Sequence, residues 1–279
     1  MELTLKIMKR RFPFLAVILV LSVCYGGCNK DKGDPPLLPP YESMIIDFSN
    51  FLSASKSAAP EFGVKGVNSS NWEFASKVAR GWEALINSAM EVPIASVRVT
   101  SAYDPGYLSE KTWQWSYSFT AAGQPYKAKL TGEIRSTDVL WKMYITQEGP
   151  GGYTDFMWFE GTSAVDGTSG EWRVKESNAS PVEIFRIKWT ATGTKVNSVN
   201  YEYVKSGNLN GSYIMYGPLT GLLNSYYDIH YYESALAKFS DVDIEWNSST
   251  KNGRVKSADY LLGDWYCWDS NKVNVTCSK

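Results

Sequence analysis

The chain has 279 residues, with 28 basic and 29 acidic side chains and a formal net charge of −1 at neutral pH. The first 27 residues hold four of the basic residues and one acidic residue, which leaves 24 basic and 28 acidic residues in the remainder. This mildly acidic balance excludes the clustered basic surface that nucleic-acid binding requires. Hydrophobic residues make up 44% and aromatic residues 14% of the sequence, enough for one large core with aromatic side chains left for a surface or a cavity.

The beginning of the chain has the pattern of a cleaved export signal. A basic segment that includes Lys9, Arg10 and Arg11 precedes an apolar run over residues 12–23. The run is shorter than the roughly 20 residues of a membrane-spanning helix, so it predicts a signal peptide over residues 1–27. The alternative is an ordinary secreted protein with a stray cysteine.

Two cysteines compete as the residue at the cleavage site. Cys28 follows Gly27, whereas Cys24 follows the bulky Val23. This arrangement resembles a bacterial lipoprotein signal with Cys28 as the acylated residue, although Tyr25 stands where such signals usually carry a small aliphatic residue. Several acyl chains on Cys28 would anchor the protein stably in a membrane.

Residues 28–40 combine charges, a glycine and four prolines, a composition that predicts a flexible Pro-rich tether. The charged residues directly after Cys28 resemble the export signal of surface-exposed lipoproteins of the Bacteroidota. We therefore expect a lipid anchor in the outer membrane. Exposure at the cell surface and a periplasmic orientation both stay open.

The other two cysteines, Cys267 and Cys277, lie near the end of the chain. In an oxidising compartment this pair predicts one disulfide that closes a short loop. His230 is the single histidine, and no metal site and no cofactor are predicted.

An amphipathic helix is predicted at about residues 71–90. Ser70 and Glu73 fit a capping box, and apolar residues recur at helical spacing over one stripe: Phe74, Val78, Trp82, Leu85, Ile86 and Ala89. Pro93 is expected to end or kink this helix. Residues 94–103 fit either a strand or a second helix, and residues 41–70 predict a short docking segment followed by a loop.

From Thr112 onward the pattern changes to alternation of apolar and polar residues, with turns and no helices in between. This predicts a mainly β fold, an antiparallel meander of about 10 strands forming a barrel or half-barrel, with the amphipathic helix packed on it. Residues 139–145 and 156–159 are apolar on both faces, so both faces must be covered there. Residues 41–279 are predicted to form a single domain.

Core packing explains most of the aromatic residues on these strands. The remainder is expected to form a ligand surface or cavity, because aromatic rings stack on sugars and line sites for apolar ligands. The candidate ligand-binding residues are Trp113, Trp115, Trp141, Trp158 and Tyr144.

No catalytic residue is predicted. Asp228 and His230 alternate on one predicted strand, but the chain lacks a Gly-x-Ser-x-Gly elbow, so His230 is interpreted as a half-exposed strand residue. One face of a later predicted strand carries a row of three carboxylates, Asp241, Asp243 and Glu245. This row fits a glycosidase pair or a calcium site, and Glu133 is a further, isolated carboxylate candidate. The alternative interpretation is the solvated face of a half-buried strand.

Several segments from Thr112 to the end of the chain resemble an uncharacterised family of Bacteroidota lipoproteins. They are Thr112–Phe119 (TWQWSYSF), 128–130 (AKL), 141–145 (WKMYI), 155–158 (DFMW) with 161–163 (GTS), 213–217 (YIMYG), 244–247 (IEWN), 253–256 (GRVK), and 263–269 (GDWYCWD) through Cys277. The resemblance implies an envelope location and a β-rich fold, and no established activity. Tyr266 stands where similar proteins often have a histidine, which weakens a metal or catalytic role at this end.

These observations favour a non-enzymatic binding or accessory protein that holds an apolar or glycan ligand, or an envelope protein partner, through its aromatic residues. The first alternative is a half-barrel carrier of lipid or lipoprotein, by analogy of fold only. The second is a hydrolase acting on glycans.

Overall fold

The computed structural model describes residues 32–52 and 70–277. The predicted signal peptide, Cys28 and most of the predicted loop before the helix lie outside these residues. Packed structure begins earlier than the predicted boundary at residue 41, because one compact unit starts at Pro35. Pro36 is buried and Leu38 packs against the core, so this part of the predicted tether belongs to the folded domain.

Two short 3-10 helices, Tyr41–Met44 and Ser49–Phe51, precede one long helix, α1 (Asn71–Thr100). Fourteen strands follow: β1 (Gly106–Ser109), β2 (Thr112–Ala121), β3 (Gln124–Ile134), β4 (Asp138–Gln147), β5 (Tyr153–Ala164), β6 (Ser169–Lys175), β7 (Glu183–Thr192), β8 (Lys195–Tyr203), β9 (Tyr213–Pro218), β10 (Ser225–Glu233), β11 (Lys238–Trp246), β12 (Gly253–Lys256), β13 (Tyr266–Trp268) and β14 (Asn274–Val275).

The strands form one sheet in strict sequence order, and every neighbouring pair is antiparallel. The predicted mainly β meander with one helix is therefore confirmed. The sheet is open, with β1 and β14 at its two edges. It has more strands than the predicted ten or so, since β1, β13 and β14 are too short for alternation to reveal them.

The sheet curves around α1, which packs against β2 near one edge and against β12 and β13 near the other. The inner face of the sheet carries a row of large apolar side chains that face the helix and the chain before it, including Met143, Phe159, Phe185, Tyr201 and Ile244. The hydrophobic core thus lies inside the curve of the sheet, and its filling is mainly α1. No helix among the described residues combines the length and apolar character needed to cross a membrane.

The chain before the helix crosses the inner face of the sheet, and we call residues 35–52 the inner segment. Trp172 donates from Nε1 to Ser43 Oγ at 3.2 Å, and the hydroxyls of Tyr201 and Tyr227 donate to backbone carbonyls of the segment. Met44 is fully buried. These bonds satisfy backbone groups that would otherwise be buried without partners.

The predicted capping box at the start of α1 is confirmed, since Ser70 and Glu73 bond reciprocally to each other's backbone N–H groups. The predicted end of the helix near Pro93 is wrong, because α1 continues to Thr100 with Pro93 inside it. Tertiary contacts hold the last turn: the Tyr117 hydroxyl donates to the Ser96 carbonyl at 3.0 Å and lies 2.6 Å from Thr100 Oγ1.

Four glycines of the inner face each lie directly opposite a tryptophan whose ring passes close over them. The pairs are Gly132 with Trp141, Gly161 with Trp172, Gly170 with Trp189 and Gly253 with Trp268. A β-carbon at any of these glycines would lie within 2.4–2.7 Å of an indole atom of its partner. The missing side chain therefore lets each indole lie over the adjacent strand.

We expect Gly161→Ala to lower the free energy of unfolding by about 1–3 kcal/mol, the usual cost of overpacking a core. The added β-carbon would lie 2.1 Å from the Glu171 carbonyl oxygen and 2.5 Å from the Trp172 ring, so the backbone itself must move. Urea denaturation measures the change. Gly106→Ala is the matched control, because its β-carbon meets only Gln114 O at 4.0 Å. Equal stability of the two variants would contradict the role of the glycines.

Burial raises the pKa of Tyr117 to about 12, and the nearby side-chain hydroxyls of Thr100 and Ser96 oppose the shift. The folded state therefore favours the neutral hydroxyl, and the stability it contributes is complete below pH ~10 and lost as the pH rises toward 12. We expect Tyr117→Phe to reduce the loss of stability between pH ~10 and ~12 by up to about 3 kcal/mol, because phenylalanine has no hydroxyl to ionise. Denaturation at several alkaline pH values tests this, and parallel curves for the two proteins would contradict it.

Candidate functional site

Three of the predicted ligand-binding tryptophans belong to the core. Trp115, Trp141 and Trp158 expose only 2%, 0% and 7% of their surface. Trp141 donates from Nε1 to Ser163 Oγ at 3.0 Å, and its ring lies 5.8 Å from that of Trp115. These three rings therefore belong to the packed core and are not available at the outer surface, and their contact with a ligand stays a prediction.

The other two predicted residues do not form a common surface. Trp113 is half-buried on the inner face, where its ring lies 5.2 Å from that of Tyr107. Tyr144 is half-buried on the outer face, opposite Lys129 and Met157 of the neighbouring strands. Because the two rings lie on opposite faces of the sheet, one ligand cannot contact both across the strand layer.

The carboxylate row lies on the open outer face of β11. Asp241 and Asp243 are exposed, and Glu245 forms an ion pair with Arg254 at 2.6 Å. Glu133 lies on β3, eight strands away in the sheet order. Partial burial and the carboxylates of neighbouring residues raise the pKa of Asp243, against an opposing effect of a lysine. This geometry gives no cleft in which two of these carboxylates face a glycosidic bond from opposite sides.

His230 is half-buried in a stack of rings on the same outer face. Its ring lies 4.6 Å from Phe239 and 5.5 Å from Tyr213, and its Nδ1 is 2.6 Å from Asp241 Oδ1. Asp228 instead accepts a hydrogen bond from Tyr213 at 3.3 Å. The stack joins three neighbouring strands, which is the cross-strand packing expected of a strand histidine. Within residues 32–52 and 70–277, no group of three or more His, Cys, Asp or Glu side chains is arranged to hold a metal ion.

The structure contains an apolar cavity that the strand pattern does not predict. Its volume is about 300 Å³, and it lies between the inner segment, the last turn of α1 and the inner face of the sheet. The walls are formed by residues 38–42 together with Val97, Arg98, Thr100 and Ser101 of α1 and its C-cap, and the floor by Leu130, Phe159 and Trp172. Consecutive prolines at 39 and 40 keep the inner segment extended here, so it passes along the floor without filling it.

The buried polar groups in the cavity wall have partners inside the protein. Thr100 Oγ1 bonds the Tyr117 hydroxyl, and Trp172 Nε1 bonds Ser43 Oγ. The other polar side chains of the lining belong to exposed residues: Tyr41, Glu42, Arg98, Ser101 and Thr194. A molecule in the inner part of this cavity therefore meets mainly apolar surface, which favours a hydrocarbon group over a polar one.

A second, more open groove of about 500 Å³ lies beside β14. The loop between β9 and β10 forms one wall with Leu219, Leu222 and Leu223, and Val275 lies on the other side. Its floor includes the ion pair of Glu245 with Arg254. The groove thus combines apolar walls with a charged floor.

Sequence patterns miss the cavity because its parts are far apart along the chain. Leu38 and Trp172 meet only in the folded protein, and residues 38–40 carry the composition of a tether. The one local signal is the apolar pair Leu37 and Leu38 inside a proline-rich segment.

The predicted pair Cys267 and Cys277 is confirmed at disulfide distance, with the sulfur atoms 2.10 Å apart. The bond joins β13 to the residues after β14. In between, Asn274 Oδ1 accepts a hydrogen bond from the backbone N–H of Asn71 at 2.7 Å, and the Asn71 side chain donates to the Cys267 carbonyl. The disulfide therefore holds the strand that caps the first turn of α1.

No protein-family model matches the chain, and neither the curated proteins nor the solved structures contain a significant match to it.

Replacement of both cysteines by serine should lower the free energy of unfolding by about 2–3 kcal/mol, the value expected for a loop of this size. Urea denaturation of the oxidised wild type against the double variant measures the loss. A reductant should destabilise the wild type by the same amount and leave the double variant unchanged. Identical midpoints for oxidised wild type and variant would show that the bond does not constrain the fold.

Proposed function

We propose that this protein is a lipid-anchored envelope protein of the outer membrane that binds one apolar chain or ring of an amphipathic ligand, without chemical conversion. Support for the location comes from the signal pattern that ends at Cys28 and from the resemblance to Bacteroidota lipoproteins. Support for the binding role comes from the cavity between the inner segment and the end of α1.

The cavity is the observation that carries this proposal. Its volume of about 300 Å³ lies at the lower limit of small-molecule sites. The native interior otherwise packs closely, with α1 and the inner segment filling the curve of the sheet. A mainly apolar space of this size beside a densely packed core is large enough for a ligand group, and its buried polar groups already bond within the protein.

The same dimensions argue against the carrier alternative. A carrier of lipoproteins must enclose several acyl chains, whereas α1 and the inner segment occupy the interior of this sheet. The hydrolase alternative receives no support either, because its candidate carboxylates lie on an open outer face and on distant strands. A protein that binds a single hydrocarbon chain or ring fits the cavity better than a lipoprotein carrier or a glycan hydrolase does.

We expect Val97→Trp to abolish ligand binding, because Val97 lines the cavity and the larger indole would fill it. Val99→Trp is the matched control: Val99 is the same residue type, two positions further on α1, half-buried and outside the cavity lining. The measurement is native mass spectrometry of the mature wild type and both variants, each purified from the envelope. A bound ligand gives an extra mass that disappears when the protein is denatured.

The proposal requires an adduct in the wild type and in Val99→Trp, and its loss in Val97→Trp. Circular dichroism of both variants establishes that the fold is kept. A clean mass without any adduct in the wild type would contradict the binding role, and so would an adduct that survives Val97→Trp in a folded variant.

A further inference from the structure

In an antiparallel meander, successive turns lie at opposite ends of the sheet. One end therefore carries the turns or loops at residues 110–111, 135–137, 165–168, 193–194, 219–224, 247–252 and 269–273. We call this end the anchor-side rim. The remaining turns, including residues 234–237 and 257–265, lie at the opposite rim.

The amino-terminal part of the compact unit arrives at the anchor-side rim. A β-carbon at Gly167, in the turn between β5 and β6, would lie 4.0 Å from the Leu37 β-carbon. Further along, Asn50 contacts Lys251 in the turn between β11 and β12. The inner segment therefore follows this rim from one side of the sheet to the other.

The length of chain before the domain limits how far this rim can be from the membrane. Cys28 stands seven residues before Pro35. Fully extended chain spans at most about 3.3–3.6 Å per residue, so the link reaches no more than about 25 Å. If Cys28 is acylated, the anchor-side rim is the part of the domain held closest to the lipid surface.

The anchor-side rim also exposes large apolar side chains. Leu222 is 90% exposed, Leu37 63%, Val273 58% and Val165 49%. They come from four separate segments that surround the rim, and the groove of about 500 Å³ opens beside Leu222. Charges on the rim are mixed, since Lys111 and Lys195 are accompanied by Glu110 and Asp166. The rim therefore offers apolar contact rather than attraction to one sign of charge.

We propose that the anchor-side rim rests on the bilayer and inserts these apolar side chains among the lipid headgroups. The inference depends on the proposed anchor at Cys28 and adds an orientation to it. The cavity lining includes Thr194, in the turn between β7 and β8, so the cavity reaches the anchor-side rim, from which a lipid chain would enter it. Because the contact is apolar, it persists at high salt.

The test uses the full-length lipidated protein in vesicles of phosphatidylethanolamine and phosphatidylglycerol. An environment-sensitive fluorophore is attached at Leu222→Cys or Val273→Cys on the anchor-side rim. Leu262→Cys is the matched control, because Leu262 is 87% exposed and lies at the opposite rim. We expect a shift of emission to shorter wavelength, and quenching by spin-labelled lipid, at residues 222 and 273 but not at 262, in low and high salt alike.

A label at residue 222 that stays in an aqueous environment while the protein floats with the vesicles would overturn the orientation alone. Insertion of the label at residue 262 would overturn it as well. Failure of the protein to float would overturn the anchor and with it this inference, and flotation separates that case from the others. Photo-crosslinking from residue 222 to an envelope protein rather than to lipid would assign the rim to a protein partner and also overturn the proposal.

Discussion

The inner face of the sheet accommodates large indoles because a glycine stands opposite each of four tryptophans on the neighbouring strand. A curved sheet has less room on its concave side, and side chains on adjacent strands compete for it there. With the glycines in place, each indole lies across its neighbour and leaves space for α1. The position of the helix, the path of the inner segment and the cavity between them all depend on this arrangement.

The inner segment connects the predicted anchor to the core. Ser43, Met44 and Asp47 accept hydrogen bonds from Trp172, Tyr201 and Tyr227 on three different strands, while residues 38–42 form a wall of the cavity. The same piece of chain thus leads toward Cys28, closes the inner face and borders the candidate ligand site. One wall of the cavity and the cover of the inner face are therefore formed by the same structural element.

Local patterns predict local structure well in this chain. The capping box at Ser70 and the alternation after Thr112 identify α1 and most strands, because hydrogen bonds within these elements depend on nearby residues. The helix passes Pro93 because Tyr117 holds its last turn, a contact that no spacing reveals. Alternation also cannot tell which face is concave when both are apolar, so Trp141 and Tyr144 are indistinguishable as ligand candidates from sequence.

The strict order of the sheet has a consequence for how the chain assembles. Each strand pairs with its sequence neighbour, so the sheet can extend hairpin by hairpin with little loop-closure entropy. The bonds that close the interior are different: Trp172 to Ser43, Tyr227 to Asp47 and Asn71 to Asn274 join residues 129, 180 and 203 positions apart. The inner segment and the start of α1 can therefore dock only after the later strands have formed, so the first part of the domain completes the fold rather than beginning it.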